Sequence, residues 1–467
     1  MARVLVWFRK DLRIHDNECL HRAIEFAKDV IPFYCIDESD FQTSTFGFPK
    51  TNSYRAQFLL ESLSDLRQSL KERGADLIVR QGKTAAIIKE LVEDFKIDWI
   101  YTTKEIHEEE IQVQKGVEAI EGVNLKYFHQ STLFHLNDLP FHYKELPKVF
   151  TDFRKLVEKK SKPREEFPEP DQIPYLLDSG YSSQIPSLSD LNLENKEIDE
   201  RAAIKAKGGE SVALKRLEDY IYSSNSLIHY KESRNGLIGT NYSSKLSLWL
   251  WNGCISPRRI YWEVKRFEKK VKKNQSTYWL VFELIWRDFF KFTSLKHGNK
   301  IFFLGGIKGE KQVSIEDNDE SFLNWANGTT GVPFIDANMR ELNSTGFMSN
   351  RGRQNVASFL VNDLKLDWRR GAEYFESMLI DYDVASNYGN WMYVAGVGND
   401  PRDRYFNVIS QAKRYDPKGE YVKLWIPELR EFESNFVHHP WTANDLFNTD
   451  SSYPKPVVEP EYWKKYY

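Results

Sequence analysis

The apolar pattern of this chain changes character once, and that change limits what it can fold into. Over residues 1 to about 130, short apolar runs alternate with helical patterns. Val4-Leu5-Val6-Trp7-Phe8, Val30 to Ile36, Leu77-Ile78-Val79 and Trp99-Ile100-Tyr101 read as buried strands. Between them, Leu59, Leu63, Leu66 and Leu70 recur at three and four residues, which puts them on one helix face. Thr84 ahead of Ala85-Ala86-Ile87-Ile88 reads as a helix N-cap. Alternating units of this kind predict an α/β domain with a doubly wound parallel sheet over residues 1–133. From about 206 to 440 strand signals nearly vanish. Long helical patterns take over, carrying Trp249, Trp251, Trp262, Trp279, Trp286, Trp325, Trp368 and Trp391. An all-α domain is therefore predicted over 206–467. Between them, Lys162-Pro163, Phe167-Pro168-Glu169-Pro170, Ile173-Pro174 and Ile185-Pro186 predict a long connector over 134–205.

Composition narrows the class. The chain has 467 residues, 41% apolar and 14% aromatic, enough for substantial cores and against a disordered chain. No run of about 18 apolar residues predicts a membrane span. Met1 to Phe8 enters a strand pattern directly, so no signal peptide and a cytoplasmic location are expected. The tail from Tyr453-Pro454-Lys455-Pro456 onward is too short for a separate signalling domain. Cys19, Cys35 and Cys254 are scattered, which disfavours a disulfide framework or an all-cysteine metal site, and no metal is expected. The net charge of −3 removes a global attraction for nucleic acid. Locally, Arg258 to Lys273 holds eight basic residues against Glu263 and Glu268; it reads as a solvated helix face or as a phosphate-tracking surface.

The usual hydrolytic and phosphoryl-transfer signatures are missing, and the first strand lacks the G-x-G-x-x-G of dinucleotide folds. The informative residues lie in the helical region. Glu283, Trp286 and Arg287 sit at i, i+3 and i+4, so one helix face would present a carboxylate, an indole and a guanidinium. Asn350, Arg353 and Gln354 repeat that spacing. Asp383, Asn387 and Trp391 are each four apart. Polar groups among apolar runs need partners if buried. Each set alone reads as a satisfied structural network; three together favour a large ligand, flat and apolar with a hydrogen-bonding edge, as a flavin is. Ser243, Ser244, Lys245, Leu246 and Ser247 precede a helical pattern from Leu248, and suit either a plain N-cap or a diphosphate.

At these residues the chain resembles the photolyase/cryptochrome superfamily. The resemblance rests on VWFRKDLRIHDN (Val6 to Asn17), ELIWRDF (Glu283 to Phe289), the stretch Gly328 to Phe375, and LIDYDVASNYGNW (Leu379 to Trp391). Phe46 to Leu63, Val149 to Glu158 and Asn390 to Phe406 are similar to its DASH branch. The resemblance implies FAD in the helical domain, with Ser243 to Ser247 at the phosphates. Tyr230, Arg287, Asn350, Arg353, Asp381 and Asp383 would line the rest. Asp381 would meet the isoalloxazine edge. Asn387 would face the flavin, and having no acid proton it favours the anionic reduced flavin used in repair.

The activity implied is that of a deoxyribodipyrimidine photo-lyase, a carbon–carbon lyase driven by blue or UV-A light. Reduced FAD gives one electron to a cyclobutane pyrimidine dimer, the dimer splits and the electron returns. Glu283 and Trp286 match lesion-contacting positions. Gln354 and Tyr393 stand where duplex-repairing relatives often carry Met and Trp, as in DASH proteins, which implies a preference for single-stranded DNA. The alternatives are a conventional duplex photolyase, or a blue-light photoreceptor that binds nucleic acid or protein without repair. A monomer is expected. Trp391 and Trp368 match the first two members of the family's tryptophan chain; the third position is Ile315, with Trp325 and Tyr374 as candidate replacements. Glu105 aligns with a folate contact, so methenyltetrahydrofolate is a candidate antenna. Tyr101 to Glu105 equally suits a plain strand-to-loop edge.

Overall fold

The computed structural model describes residues 2–175, 183–309, 315–316, 318–400, 405–443 and 452–467. Residues 401–404, inside the last DASH-like stretch, lie outside the described residues. Five strands form one parallel sheet: β1 (Ala2–Phe8), β2 (Ala27–Asp37), β3 (Ile78–Gly82), β4 (Trp99–Thr103) and β5 (Asn124–Phe128), in the order β3-β2-β1-β4-β5. The four strands read from the sequence are all present. β5 is an unexpected fifth. It is an edge strand whose Asn124 and Lys126 are exposed, so it lacks the continuous apolar run that marks strands covered on both faces.

The leucine-rich helix spans Ser53–Lys71 and buries Leu59, Leu63, Leu66 and Leu70 as expected. Thr84 is the first residue of the Thr84–Phe95 helix and does not cap it: Lys83 holds the cap position, and the Thr84 backbone N–H donates to Asp37 Oδ2 at 3.1 Å. Cys19, Cys35 and Cys254 are buried free thiols.

Among the described residues every regular element after Ser183 is helical. The connecting stretch carries a helix of its own, Phe150–Lys160, whose buried Phe153 packs on Phe289 at 5.3 Å and Phe292 at 6.1 Å. Its later part is tied to the sheet, since Val30 N–H donates to the Pro174 carbonyl at 2.6 Å. No helix among the described residues is long and apolar enough to cross a membrane.

The loop after β1 joins the two halves. Asp11, Arg13, His15, Asp16 and Asn17 are all buried there. Arg258 reaches in from the Pro257–Lys270 helix and grips Asp16 with two bonds of 2.7 and 2.9 Å. Glu210 accepts the backbone N–H of Ile14 at 2.8 Å and of His15 at 3.0 Å. Arg13 donates to the Gly253 carbonyl at 2.9 Å.

This disposes of much of the basic stretch. Arg258 is spent on Asp16, Arg259 pairs with Glu166 at 2.9 Å, Lys265 with Glu268 at 2.7 Å, and Arg266 with Glu263. Four of the eight basic side chains are thus paired with carboxylates, and Lys269, Lys270, Lys272 and Lys273 remain exposed.

Removing one partner of a buried pair leaves the other charge uncompensated. Arg258→Met is expected to lower unfolding stability by about 3–5 kcal/mol, read from denaturant midpoints. Asp16→Asn added to Arg258→Met should recover part of that loss. Equal midpoints for parent and Arg258→Met would mean that the pair does not hold the joint.

Candidate functional site

The 23-residue helix Gln275–His297 is the spine of the site, opened by a capping box at Asn274 and Thr277. Glu283, Trp286 and Arg287 leave it in different directions. The Glu283 carboxylate accepts from Arg234 at 2.6 Å; burial pushes its pKa up and the guanidinium opposes that. Trp286 lies flat on Phe150, with centroids 3.6 Å apart and 8° between planes. The same indole meets Tyr393 edge to face at 5.6 Å and 82°. Arg287 turns away and donates to the carbonyls of Ser131 at 2.6 Å and Leu250 at 3.2 Å. The expected single face is thus divided: Glu283 and Trp286 look into the site, and Arg287 fastens it to the sheet side. Arg234 and Phe150 carried no local sequence signal for this role; each comes from a distant segment.

The helix Val384–Val394 supplies the facing wall. Asp383 caps it by accepting from Ser386 N–H at 2.9 Å and pairs with Lys291 at 3.3 Å. Burial opposes its charge, but Lys291, Arg287 and the cap hold the carboxyl well below the usual range. One turn on, Asn387 donates to the Ala372 carbonyl at 2.9 Å, which leaves its Oδ1 as the uncommitted end. Trp391 follows after another turn, buried. Arg353 holds Asp381 in a two-pronged pair at 2.9 and 3.0 Å. Asn350 stands exposed at the start of the same helix as Arg353, and Gln354 Oε1 is buried with no hydrogen-bond partner among the described residues.

The loop Ser243 to Ser247 differs from its expectation. The helix that follows is one turn, Ser247–Leu250, so it offers little dipole. Shape comes instead from Arg216, whose guanidinium collects the carbonyls of Thr240, Ser243 and Ser244 at 3.1 Å each. Lys245 takes a left-handed backbone with φ of 57°, which costs a non-glycine residue about 1–2 kcal/mol. Its Nζ is buried, 3.3 Å from the centre of the Tyr242 ring, with no hydrogen-bond partner among the described residues. Burial, with Arg216 nearby, lowers the ammonium to about 7. A buried amine without a hydrogen-bond partner is a candidate contact for an anion. Tyr230 is buried beside Tyr220, with rings 6.4 Å apart.

A second space, about 670 Å³, opens between the sheet and the helical part. It lies beyond the carboxyl ends of the strands, where the chain order reverses between β1 and β4. Lys10 follows β1 and Glu105 follows β4, so topology brings both there. Glu105 Oε1 is buried without a partner among the described residues, and burial together with Glu110 pushes its carboxyl up. Burial also lifts Asp40 to about 6 and Glu376 to about 7. Eight acidic side chains and five lysines or arginines line this cavity, so its walls favour a ligand that donates hydrogen bonds over one that carries phosphates.

Comparison with known proteins gives the family. Residues 4–171 match the family model described as DNA photolyase, and residues 279–466 match the FAD binding domain of DNA photolyase. Cryptochrome DASH of Xenopus laevis is 46% identical over 479 residues, covering 100% of this chain and 91% of that protein. Cryptochrome DASH of Gloeobacter violaceus is 47% identical, covering 98% and 93%. The crystal structure of the Synechocystis cryptochrome superposes with a TM-score of 0.95 at 44% identity, over 100% of this chain and 99% of that one. Identity at this level over nearly the whole chain leaves one conclusion: the chain belongs to the cryptochrome DASH branch of the photolyase/cryptochrome family.

Proposed function

We propose that the protein is a light-driven lyase that splits cyclobutane pyrimidine dimers and prefers them in single-stranded DNA. The observation that carries this is the aromatic corner of Trp286 and Tyr393, two rings at 82° and 5.6 Å. Two pyrimidines fused in a dimer are bent towards each other, and an L-shaped corner offers a face to one and an edge to the other. Phe150, flat against the back of Trp286, holds the indole in place before a ligand arrives. Glu283, its carboxyl raised by burial, stands one turn away to bond a pyrimidine edge. Tyr393 is smaller than an indole. Extruding a dimer from a duplex costs a few kcal/mol, and stacking returns roughly 1–3 kcal/mol per base. A smaller ring leaves less to offset extrusion, and a single strand avoids most of that cost.

When bound, reduced FAD supplies one photoexcited electron and receives it back once the two carbon–carbon bonds of the dimer have opened. The chain binds and orients. Lys245 neutralises a phosphate oxygen, the Arg353–Asp381 pair presents a fixed polar edge, and Asn387 has no acid proton to give. For the cavity beside β1 and β4 we propose methenyltetrahydrofolate. Its pterin N–H groups suit the partnerless Glu105 oxygen, and the acidic lining disfavours a diphosphate.

Three outcomes test this. First, the reduced protein under blue light should repair a thymine dimer in a single-stranded oligonucleotide and do little on a duplex. Trp286→Ala should weaken dimer binding by about 5- to 150-fold, the equivalent of roughly 1–3 kcal/mol of stacking, while flavin photoreduction persists. Equal repair of both substrates would make this a conventional duplex photolyase; no repair, with flavin photoreducible, would leave a photoreceptor.

Second, binding a diphosphate favours the charged form of Lys245, so above about pH 7 binding takes up a proton. FAD affinity of the apoprotein should be level below pH 7 and fall by up to about tenfold per pH unit above it. Lys245→Arg should flatten that slope in a fluorescence titration; an unchanged slope would remove Lys245 from the phosphate site. Third, reconstitution with methenyltetrahydrofolate should add a near-ultraviolet absorption band, and Glu105→Ala should abolish it at unchanged FAD content.

A further inference from the structure

Lys245 differs from the paired cations of the helical part in what faces it. Arg258 meets Asp16, Lys291 meets Asp383 and Arg353 meets Asp381. Lys245 meets two aromatic rings. Its Nζ stands 3.3 Å from the centre of the Tyr242 ring and 5.6 Å from that of Phe347. Phe347 is shared with the Arg353 guanidinium, 5.7 Å from the same ring centre. The nearby carboxyl that could pair with Lys245 is committed elsewhere. Glu341, on the helix Pro333–Thr345, is buried, and its Oε2 accepts from the Tyr421 hydroxyl at 2.6 Å. Burial lifts Glu341 to about 7, opposed by Tyr421, Lys245 and Arg353. Asp381, which also acts on Tyr242, is held by Arg353, and Arg216 adds a like charge to the Lys245 side.

The Tyr242 ring is held without help from its hydroxyl. The Tyr242 carbonyl accepts from Ser233 Oγ at 2.9 Å, and Arg216 gathers the carbonyls of Ser243 and Ser244 just after it. Gly236 makes room, since an added Cβ there would lie 2.7 Å from Tyr242 Cβ. Tyr242 Oη is buried and has no hydrogen-bond partner among the described residues. The face of the ring, and not its polar tip, is what meets a charged group here.

We propose that Tyr242, backed by Phe347, is a positioning residue that keeps Lys245 charged with its N–H groups uncommitted, ready for the flavin diphosphate. The inference rests on the reading of Lys245 as a phosphate contact. A carboxylate beside Lys245 would also favour the ammonium, but it would cancel the charge and occupy the N–H donors. An aromatic face does neither: its negative centre attracts the cation and accepts no conventional hydrogen bond, so all three donors stay open. The ring attracts an ammonium and is indifferent to a neutral amine. Its loss therefore lowers the pH at which Lys245 gives up its proton. Glu341, largely protonated near neutral pH, adds little negative charge to repel the diphosphate.

The test uses the full-length, FAD-loaded protein without DNA, and reads FAD affinity from the fluorescence of released flavin across a pH series. At about pH 8, Tyr242→Leu should weaken FAD binding by about 10- to 30-fold, and the pH above which affinity falls should move down by about one unit or more. Tyr242→Phe, which keeps the ring, should rescue both. Phenylalanines carrying one, two and three ring fluorines at position 242 draw electrons from the ring face at nearly constant shape. They should weaken binding step by step, and the thermal midpoint checks that folding is unchanged. If Tyr242→Leu unfolds, this series decides. In a Lys245→Met background the series should be flat, because the cation is gone. A flat series with Lys245 present overturns the proposal, as does a graded loss that persists in Lys245→Met. If the series is flat and Lys245→Met binds FAD as the parent does, the phosphate reading of Lys245 has failed too. If the series is flat and Lys245→Met binds FAD more weakly, that reading stands and only the role of Tyr242 is lost.

Discussion

The two-pronged bond between Arg258 and Asp16 is the constraint from which the rest is placed. Both charges are nearly free of solvent, and such a pair holds only when its geometry is good and its remaining atoms are satisfied. Here they are: Asp16 also accepts from the Phe167 N–H at 3.1 Å, and Glu210 takes the neighbouring backbone groups. The loop after β1 is thereby locked to the helical part. Gly253 sits in this lock with φ of 73°, where an added Cβ would lie 2.1 Å from the Lys10 carbonyl oxygen. Lys10 on one side of that contact lines the interdomain cavity. Lys245, eight residues before Gly253, occupies the other buried polar site. One joint therefore sets both positions.

The helix Gln275–His297 does its work by sending successive polar residues to different neighbours. At about 100° per residue, Arg287 and Asp288 cannot face the same element. Arg287 goes to the carbonyls of Ser131 and Leu250, while Asp288 accepts the N–H groups of Leu133 and Phe134 at 2.9 and 2.8 Å. Burial lifts the Asp288 carboxyl to about 7, and those two N–H groups restrain it. Lys291 then reaches Asp383 on the facing helix. The aromatic corner is rigid because the polar residues on the same helix are already committed elsewhere.

Much of the fold was legible because its signals are local. Strands buried on both faces are apolar runs, and β1 to β4 could be read that way. β5, half exposed, could not. The single-turn helix after Ser247 was misjudged because the apolar Leu248, Trp249 and Leu250 look like the start of a longer one; the turn at Asn252 and Gly253 ends it. Within the candidate site, residue types and spacing singled out Glu283, Trp286, Asp383 and Asn387, but spacing cannot show where a side chain goes. Arg287 was grouped with Glu283, yet the guanidinium that meets Glu283 belongs to Arg234, 49 positions away in the chain. Phe150 lay in a stretch read as connector and as similar to the DASH branch, with nothing local to aim its ring at Trp286. In the basic run at Arg258 to Lys273, the partners of Arg258 and Arg259, Asp16 and Glu166, are likewise remote in sequence.

The two ligand-facing regions use one physical device with opposite sign. Burial disfavours charge, so it lowers the ammonium of Lys245 and raises the carboxyls of Asp40, Glu105 and Glu376. In each case an atom is left without its partner: Lys245 Nζ in one region, Glu105 Oε1 in the other. A group held in this condition gains most from a ligand that supplies the missing bond, and gains nothing from one of the wrong sign. An anion would relieve Lys245, and a hydrogen-bond donor would relieve Glu105. The two regions thus differ in the kind of bond each leaves unmade, an acceptor for the one and a donor for the other.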